Sequence, residues 1–248
     1  MAKHRSGFAD QLCLATPEDP GPQTAVGVDG HRARMRTKLL TAGPDALGDH
    51  ELLEMVLFTA LPRRDTRALA RALLARFGSF ANVIAAPPGE LREIEGLGDA
   101  GVASLKAVQA AALRLARGEV VNRPVVSSWN RLMEYLQAVL ARERVEQFRV
   151  LFLDVRNRLI ADEPQGRGTV DHTPVYPREV VKRALELHAT ALILVHNHPS
   201  GDPSPSGADR EMTREIAQAA RALGITLHDH VVVGNGRWLS FRQEGLLG

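Results

Sequence analysis

ALILVHNHPSGDPSPSGAD, residues 191–209, decides the fold of this chain and announces its chemistry. Ala191 to Val195 is a short, unbroken apolar run rich in branched side chains, which predicts a strand buried on both faces. Side chains alternate along a strand, so His196 and His198 at its end point the same way. Pro199, Gly201, Pro203 and Pro205 then exclude regular structure and turn the chain. Ser206 is placed to cap a helix running through Asp209, Met212 and Ile216, which puts Asp209 in a first helical turn near the two imidazoles. Two neutral imidazoles and one carboxylate make three ligands of a tetrahedral Zn²⁺ and leave a fourth position for water, the arrangement of hydrolytic rather than structural sites. Ser206-x-x-Asp209 is equally a capping box with Asp in place of Glu, and the two roles are compatible.

Upstream, Val145 to Val155 alternates and runs into Leu151-Phe-Leu153, a predicted strand. Arg156-Asn-Arg158 is a turn, and Leu159-Ile-Ala161 returns as the hairpin partner. Glu163 is expected where that second strand ends, before Pro164-Gln-Gly-Arg-Gly168. A carboxylate at a strand end can reach a metal-bound water and act as its base. Asp162 next door competes for that role. Glu179 is a further rival, but it follows Tyr176-Pro177 in the first turn of a helix through Val180, Ala184 and Leu187, where a carboxylate simply complements the helix dipole.

The spacing His-x-His, seven residues, Ser, two residues, Asp resembles the JAMM signature of the JAB/MPN metalloprotease domain. Gly168-Thr169, Tyr176-Pro-Arg-Glu-Val180, His196-Asn-His-Pro-Ser-Gly201, Pro205-Ser206 and Asp229-His230 together resemble the RadC family of bacterial proteins, linked by name to DNA repair. The resemblance extends from near His31 to the end of the chain. It implies an α/β (α+β) fold, a cytidine-deaminase-like MPN/JAB domain preceded by a small all-helical domain. It also implies one Zn²⁺ per chain, held by His196, His198 and Asp209, with Glu163 matching the glutamate that serves as general base. Ser206 is then placed to donate a hydrogen bond to the oxyanion of an amide undergoing hydrolysis. Asp229 and His230, beside the apolar run Val231-Val-Val233, are candidates to orient a ligand from behind, although a buried histidine satisfied within the core is the plainer role for His230. His172 and His188 have no partner spacing.

The remaining sequence sets the frame. In 248 residues there is room for two modest domains with real cores. The expected division is a flexible leader over 1–30, a helical domain over 31–117, a linker over 118–124 and the hydrolase domain over 125–248. A single cysteine, Cys13, excludes an internal disulfide framework. No apolar run has the length of a signal peptide or a membrane span, so a cytoplasmic protein with no membrane partner is expected. Net charge is +2, and the basic residues are almost all arginine, a bias that by itself says little about nucleic acid.

Within the helical part, helices are expected over Glu51–Leu57, Thr66–Phe77, Glu90–Ile94 and Gly101–Arg117. Ile94-Glu-Gly96-Leu97-Gly98-Asp-Ala-Gly101 resembles the hairpin of a helix-hairpin-helix module. There Gly96, Leu97 and Gly98 would bring backbone N–H groups to a DNA phosphate without reading sequence. The alternative is a tight turn between packed helices with Leu97 plugging the core. Asp99 stands where proline is common and Gly101 where a basic residue is usual, and both departures weaken phosphate attraction. The function expected is zinc-dependent cleavage of peptide or isopeptide bonds in a protein or peptide substrate, with non-specific DNA as a further partner. A DNA-bound scaffold with a silent metal site and a metal-dependent nuclease are the alternatives. A structural zinc needs no base, and nuclease sites commonly use hard oxygen ligands, which disfavours both.

Overall fold

Five strands between residues 147 and 240 form one mixed sheet, ordered β2-β1-β3-β4-β5. Its strands are β1 (Gln147–Leu153), β2 (Leu159–Arg167), β3 (Ala191–Asn197), β4 (Thr226–Val233) and β5 (Trp238–Ser240). The structure, a computed structural model, describes residues 28–121, 123–167 and 175–247. The expected leader therefore lies mostly outside the described residues, as do Cys13, Gly168, Thr169 and His172. Central β3 is buried along its whole length, antiparallel to β1 and parallel to β4. That agrees with the unbroken apolar run read from its sequence.

Both faces of the sheet are covered. Helix α7 (Trp129–Leu140) packs Leu132, Leu136 and Leu140 onto Leu151, Leu153, Ile193, Val195 and Val231. On the other face α8 (Pro177–Glu186) and α9 (Gly207–Ala222) lay Val180, Ala184, Ile216 and Ala220 onto Phe148, Val150, Phe152, Leu192 and Leu194. Ser128, the residue before α7, makes no side-chain cap bond to its backbone. The hydroxyls of Ser127 and Ser128 instead donate to the carbonyl of Pro124, closing the 3₁₀ turn Val125–Ser128.

β2 departs from expectation by running four residues past Glu163, straight through Pro164. Proline has no N–H for a ladder, but β2 is an edge strand and needs only one paired side. The register slips there, Phe148 facing Gly166 and Arg149 facing Pro164, so that Gln165 is the extra residue of a bulge. Glu163 consequently sits within the strand, opposite Val150.

Packing divides the chain between Leu47 and Gly48. The first unit contains α1 (Val28–Ala42), closed by Gly43 at φ +84, and a 3₁₀ turn over Pro44–Ala46. The second holds the sheet together with α2 (Asp49–Ala60), α3 (Arg67–Phe77), α4 (Phe80–Ala85), α5 (Pro88–Arg92) and α6 (Gly98–Gly118). These helices share a core of Leu53, Leu57, Leu73, Leu91, Leu97 and Leu105. Between α6 and α7, Val121 and Pro124 bridge to Leu159 and Arg158 of the β1–β2 hairpin.

Candidate metal centre

His196 lies next to last in the buried strand β3, and His198 follows directly after the strand ends at Asn197. Ser206 and Asp209 begin α9, where the capping box forms in full. The Ser206 hydroxyl accepts from Asp209 N–H at 3.1 Å, while Ser206 N–H and Oγ–H both donate to Asp209 Oδ2 at 2.7 Å. The cap thus fixes the carboxylate as well as the helix. Asp209 Oδ1 lies 3.3 Å from His196 Nε2, and Oδ2 lies 3.7 Å from His198 Nε2. The two imidazole Nε2 atoms are 3.0 Å apart. Side chains 13 residues apart in sequence therefore converge within 4.8 Å, a group able to hold a metal ion.

The far side of each imidazole settles its tautomer. His198 Nδ1 is 2.7 Å from the carbonyl of Asp202, which can only accept, so Nδ1 carries a proton and, in the neutral ring, Nε2 is bare. For His196 the assignment passes through two further side chains. Thr213 donates its hydroxyl to the carbonyl of Asp209 at 2.5 Å and so accepts at Oγ1 from His230 Nδ1, 2.6 Å away. His230 Nε2 is then an acceptor and takes the Nδ1–H of His196 at 2.8 Å. In the neutral ring His196 Nε2 is then bare as well. Burial pushes His230 well below the ordinary histidine range, so its ring is neutral as the relay requires.

With both rings neutral, two nitrogen lone pairs 3.0 Å apart and a carboxylate face one another and are relieved by a cation among them; two imidazoles plus one carboxylate are the donor types zinc takes. The donor set fits the ion. Burial pushes the Asp209 carboxyl up, but contacts with His196 and His198 and the Ser206 hydroxyl overcome it and hold the group well below the usual carboxylate range. Contact with Asp209 in turn raises His198, burial notwithstanding. Phe148 stacks on His196 and Phe241 on His230, closing the rings in from the sides.

Glu163 shares the sheet face of His196, since opposite residues of paired strands point alike: Glu163 faces Val150, Val150 faces Leu194, and His196 lies two residues along β3. Both of its oxygens are held by Arg183 of α8, at 2.7 and 2.8 Å, and those bonds keep its carboxyl below the usual range. Asp162 points to the opposite face, where it is bonded by Tyr135 at 2.5 Å and Arg149 at 2.8 Å; it does not compete for the site. Glu179 is exposed in the first turn of α8 and pairs with Arg178. His230 is both a satisfied core residue and the partner of His196. Asp229 is not turned toward the ligands: it accepts from His230 N–H, Ser240 Oγ and Arg242 N–H, tying the C-terminal segment to β4. Thr213 went unread in the sequence, although it lies one turn beyond Asp209 on the same helix.

In the hairpin, Leu97 is fully buried in the helical core, and Gly96 and Gly98 take φ of +83 and +60. Arg64 covers Gly96, donating to its carbonyl at 2.6 Å, and Asp99 pairs with Arg92. Gly101 is a packing glycine, since a Cβ there would come within 2.6 Å of Leu97 Cδ1. A basic side chain at that position has no room. Among the described residues no helix is long and apolar enough to cross a membrane.

Comparison with known proteins agrees with this architecture. Residues 126–246 match the RadC-like JAB domain, and residues 30–103 match the UPF0758 N-terminal family. A UPF0758 protein of Rhodobacter capsulatus is 63% identical over 213 residues, 86% of this chain and the whole of that protein. One from Ruegeria pomeroyi is 56% identical over 217 residues, 88% of this chain and 97% of that protein. With the His196, His198 and Asp209 cluster at the end of a JAB-type sheet and relatives of this similarity along nearly the whole described length, the chain belongs to the RadC (UPF0758) family.

Proposed function

We propose that the chain is a zinc-dependent hydrolase of amide bonds in proteins or peptides, with His196, His198 and Asp209 holding the ion. The observation that carries this reading is the convergence of two imidazole Nε2 atoms on one carboxylate, with the Nδ1 of each ring bonded on its far side. A zinc ion with three protein ligands supplies Lewis acidity to a water and to an acyl carbonyl at its open position. Nitrogen donors favour zinc over magnesium, whose sites are built from oxygen.

The protein's own groups divide the remaining work. Glu163 is ionised and is the carboxylate to hold the proton of the attacking water and return it to the leaving amine. Arg183 takes one acceptor site on each oxygen, which leaves the second site of each able to take the proton. Ser206 spends its hydroxyl proton on Asp209 in this state, so its first task is to aim the ligand carboxylate. His230 and Thr213 keep the His196 lone pair on the metal side. DNA binding by the hairpin is not favoured, since Arg64 covers Gly96 and Asp99 adds a negative charge.

Elemental analysis of the reconstituted protein should find one zinc per chain. His196→Ala and Asp209→Ala should each lose it. Glu163→Gln should keep zinc while cleavage of a peptide library falls by roughly 10²–10⁴-fold, the usual contribution of acid–base catalysis. Retention of zinc by both ligand variants contradicts the site, and loss of zinc from Glu163→Gln makes that residue a ligand instead.

A further inference from the structure

Beside the metal loop lies a cleft of about 620 Å³ that none of the chemistry above uses. One side is formed by α3, α4 and α6, the other by the residue 141–145 connection between α7 and β1, and Asn235 of the β4–β5 turn closes an end. Its second wall is tied to the metal strand. Asn197, the residue between the two histidines, donates to the carbonyls of Glu143 and Val145 and accepts from Gln147 N–H. Asn235 packs against Gly201 in the loop that carries His198 toward Ser206. A ligand in this cleft lies against the same backbone that positions His196 and His198.

Four cations line it: Arg76, Lys106, Arg142 and Arg144. The one acid in the lining is Glu143. Two of the cations already show what they hold, since Arg76 pairs with Glu93 and Arg144 with Glu90, each taking a glutamate carboxylate from the chain itself. The other two are bonded to neutral oxygens: Arg142 to Asn82 Oδ1 at 3.0 Å, and Lys106 to the Ile84 carbonyl and Gln109 Oε1, both at 2.9 Å. Burial lowers the Lys106 ammonium despite the pull of Glu143, so its charge is incompletely compensated where it stands. Asn82, Gln109 and Asn235 offer carboxamides for a peptide backbone, and Pro87, Pro88 and Val145 a low apolar floor.

Resting on the amide-hydrolase reading, the geometry points to this cleft as the binding site for an acidic polypeptide segment of the substrate. Its carboxylates are taken by Arg142 and Lys106 and exchanged with Glu90 and Glu93 on Arg144 and Arg76. The interleaved glutamates select against a continuous phosphate backbone, which presents negative charge at every nucleotide and has none to spare. Isolated carboxylates along an extended peptide can be placed between them.

The test is direct binding to the full chain, read by fluorescence anisotropy at low and physiological salt. The probes are a fluorescein-labelled peptide of alternating Glu and Ala, the same peptide with Gln for Glu, and a single-stranded oligothymidylate. The Glu peptide should bind, the Gln peptide should bind at least several-fold more weakly, and the oligonucleotide should not compete. Arg142→Ala and Lys106→Met should each weaken the Glu peptide about three- to fivefold, the size of one solvated charge pair. Arg142 is exposed, so its variant keeps the fold even if the Lys106 variant does not. The wild-type protein stripped of zinc by a chelator should bind the peptide like the zinc-loaded protein, because the cleft needs no metal. Equal affinity for Glu and Gln peptides, no effect of Arg142→Ala, or binding of the oligonucleotide in place of the peptide overturns the assignment. Zinc content and library cleavage in the same preparations report separately on the hydrolase: cleavage without acidic-peptide binding sinks the cleft alone, and binding without cleavage sinks the hydrolase alone.

Discussion

Thr213→Val cuts the relay behind the metal centre at its least conspicuous member. The substitution nearly conserves volume but removes the hydroxyl that bonds both the Asp209 carbonyl and His230 Nδ1. Two responses are open to the protein. His230 can keep its proton on Nδ1, leaving a donor stranded in full burial at a cost of about 1–3 kcal/mol. Alternatively its proton moves to Nε2, His196 Nδ1 becomes the acceptor, and the His196 proton is driven onto Nε2, the atom that faces the metal. That second course spares stability and removes a ligand lone pair. Loss of such outer partners lowers metal affinity about 10–100-fold, or about 1.4–2.7 kcal/mol. The two costs are similar, so both should be visible: zinc affinity down about tenfold or more, and zinc-free stability down by no more than about 3 kcal/mol. Competition against a chromogenic chelator measures the first, and urea unfolding of the zinc-free protein the second. Thr213→Ser, which keeps the hydroxyl, is the control. Wild-type zinc affinity in the valine variant would refute the tautomer relay.

Other outcomes follow from the same geometry. Gly101→Ala should destabilise the helical core by about 1–3 kcal/mol, because its Cβ would come within 2.6 Å of the fully buried Leu97; a urea midpoint equal to wild type shows that Leu97 can move aside. Asp162→Ala strands the Arg149 guanidinium and the Tyr135 hydroxyl on the α7 face, and should cost about 3–5 kcal/mol in unfolding while leaving zinc content unchanged, whereas altered zinc binding would return Asp162 to the site. In acid, Glu163 behaves as a depressed carboxyl: its contribution to stability is present above the unfolded glutamate pKa and is lost as pH falls through the lower folded value. Arg183→Gln removes the cause of the depression and leaves burial unopposed, so the acid limb of the pH–rate profile should move to higher pH. An unmoved limb would show that Glu163 is not the group titrating in activity.

What could be read from the sequence was what lies close together in it. His196, His198, Ser206 and Asp209 fall within one strand, one proline-broken loop and one helix start, and local rules of alternation and capping were enough to bring them together. The longer-range partners gave no such signal. Nothing about Arg183 marks it as the residue that grips Glu163, because the pair joins an edge strand to a helix face. Asp162 and Glu163 could not be told apart until pairing opposite Leu151 and Val150 assigned them to opposite faces. Pro164 looked like the end of a strand because the chain alone does not say that β2 is an edge. Helix α4 was overlooked because six residues carry too little periodicity, although Ser79, which caps it by accepting from Asn82 N–H, was there to be read.

The position of the site also explains its mixed donor set. β3, α9 and β4 form a strand–helix–strand crossover between parallel neighbours, and the ligands gather where β3 ends and α9 begins, the end of a parallel pair at which such folds place their chemistry. A helix N-terminus is the positive end of the helix dipole, suited to anions and adverse to a metal cation. A third neutral imidazole in the first turn of α9 would leave that field uncompensated. Asp209 reverses it: the same carboxylate takes the N–H and hydroxyl of Ser206 on Oδ2 and presents Oδ1 to His196. Helix cap and candidate metal ligand are therefore one requirement rather than two competing ones. The negative charge that makes the helix start tolerable to a cation is also what the exposed first-turn N–H groups need.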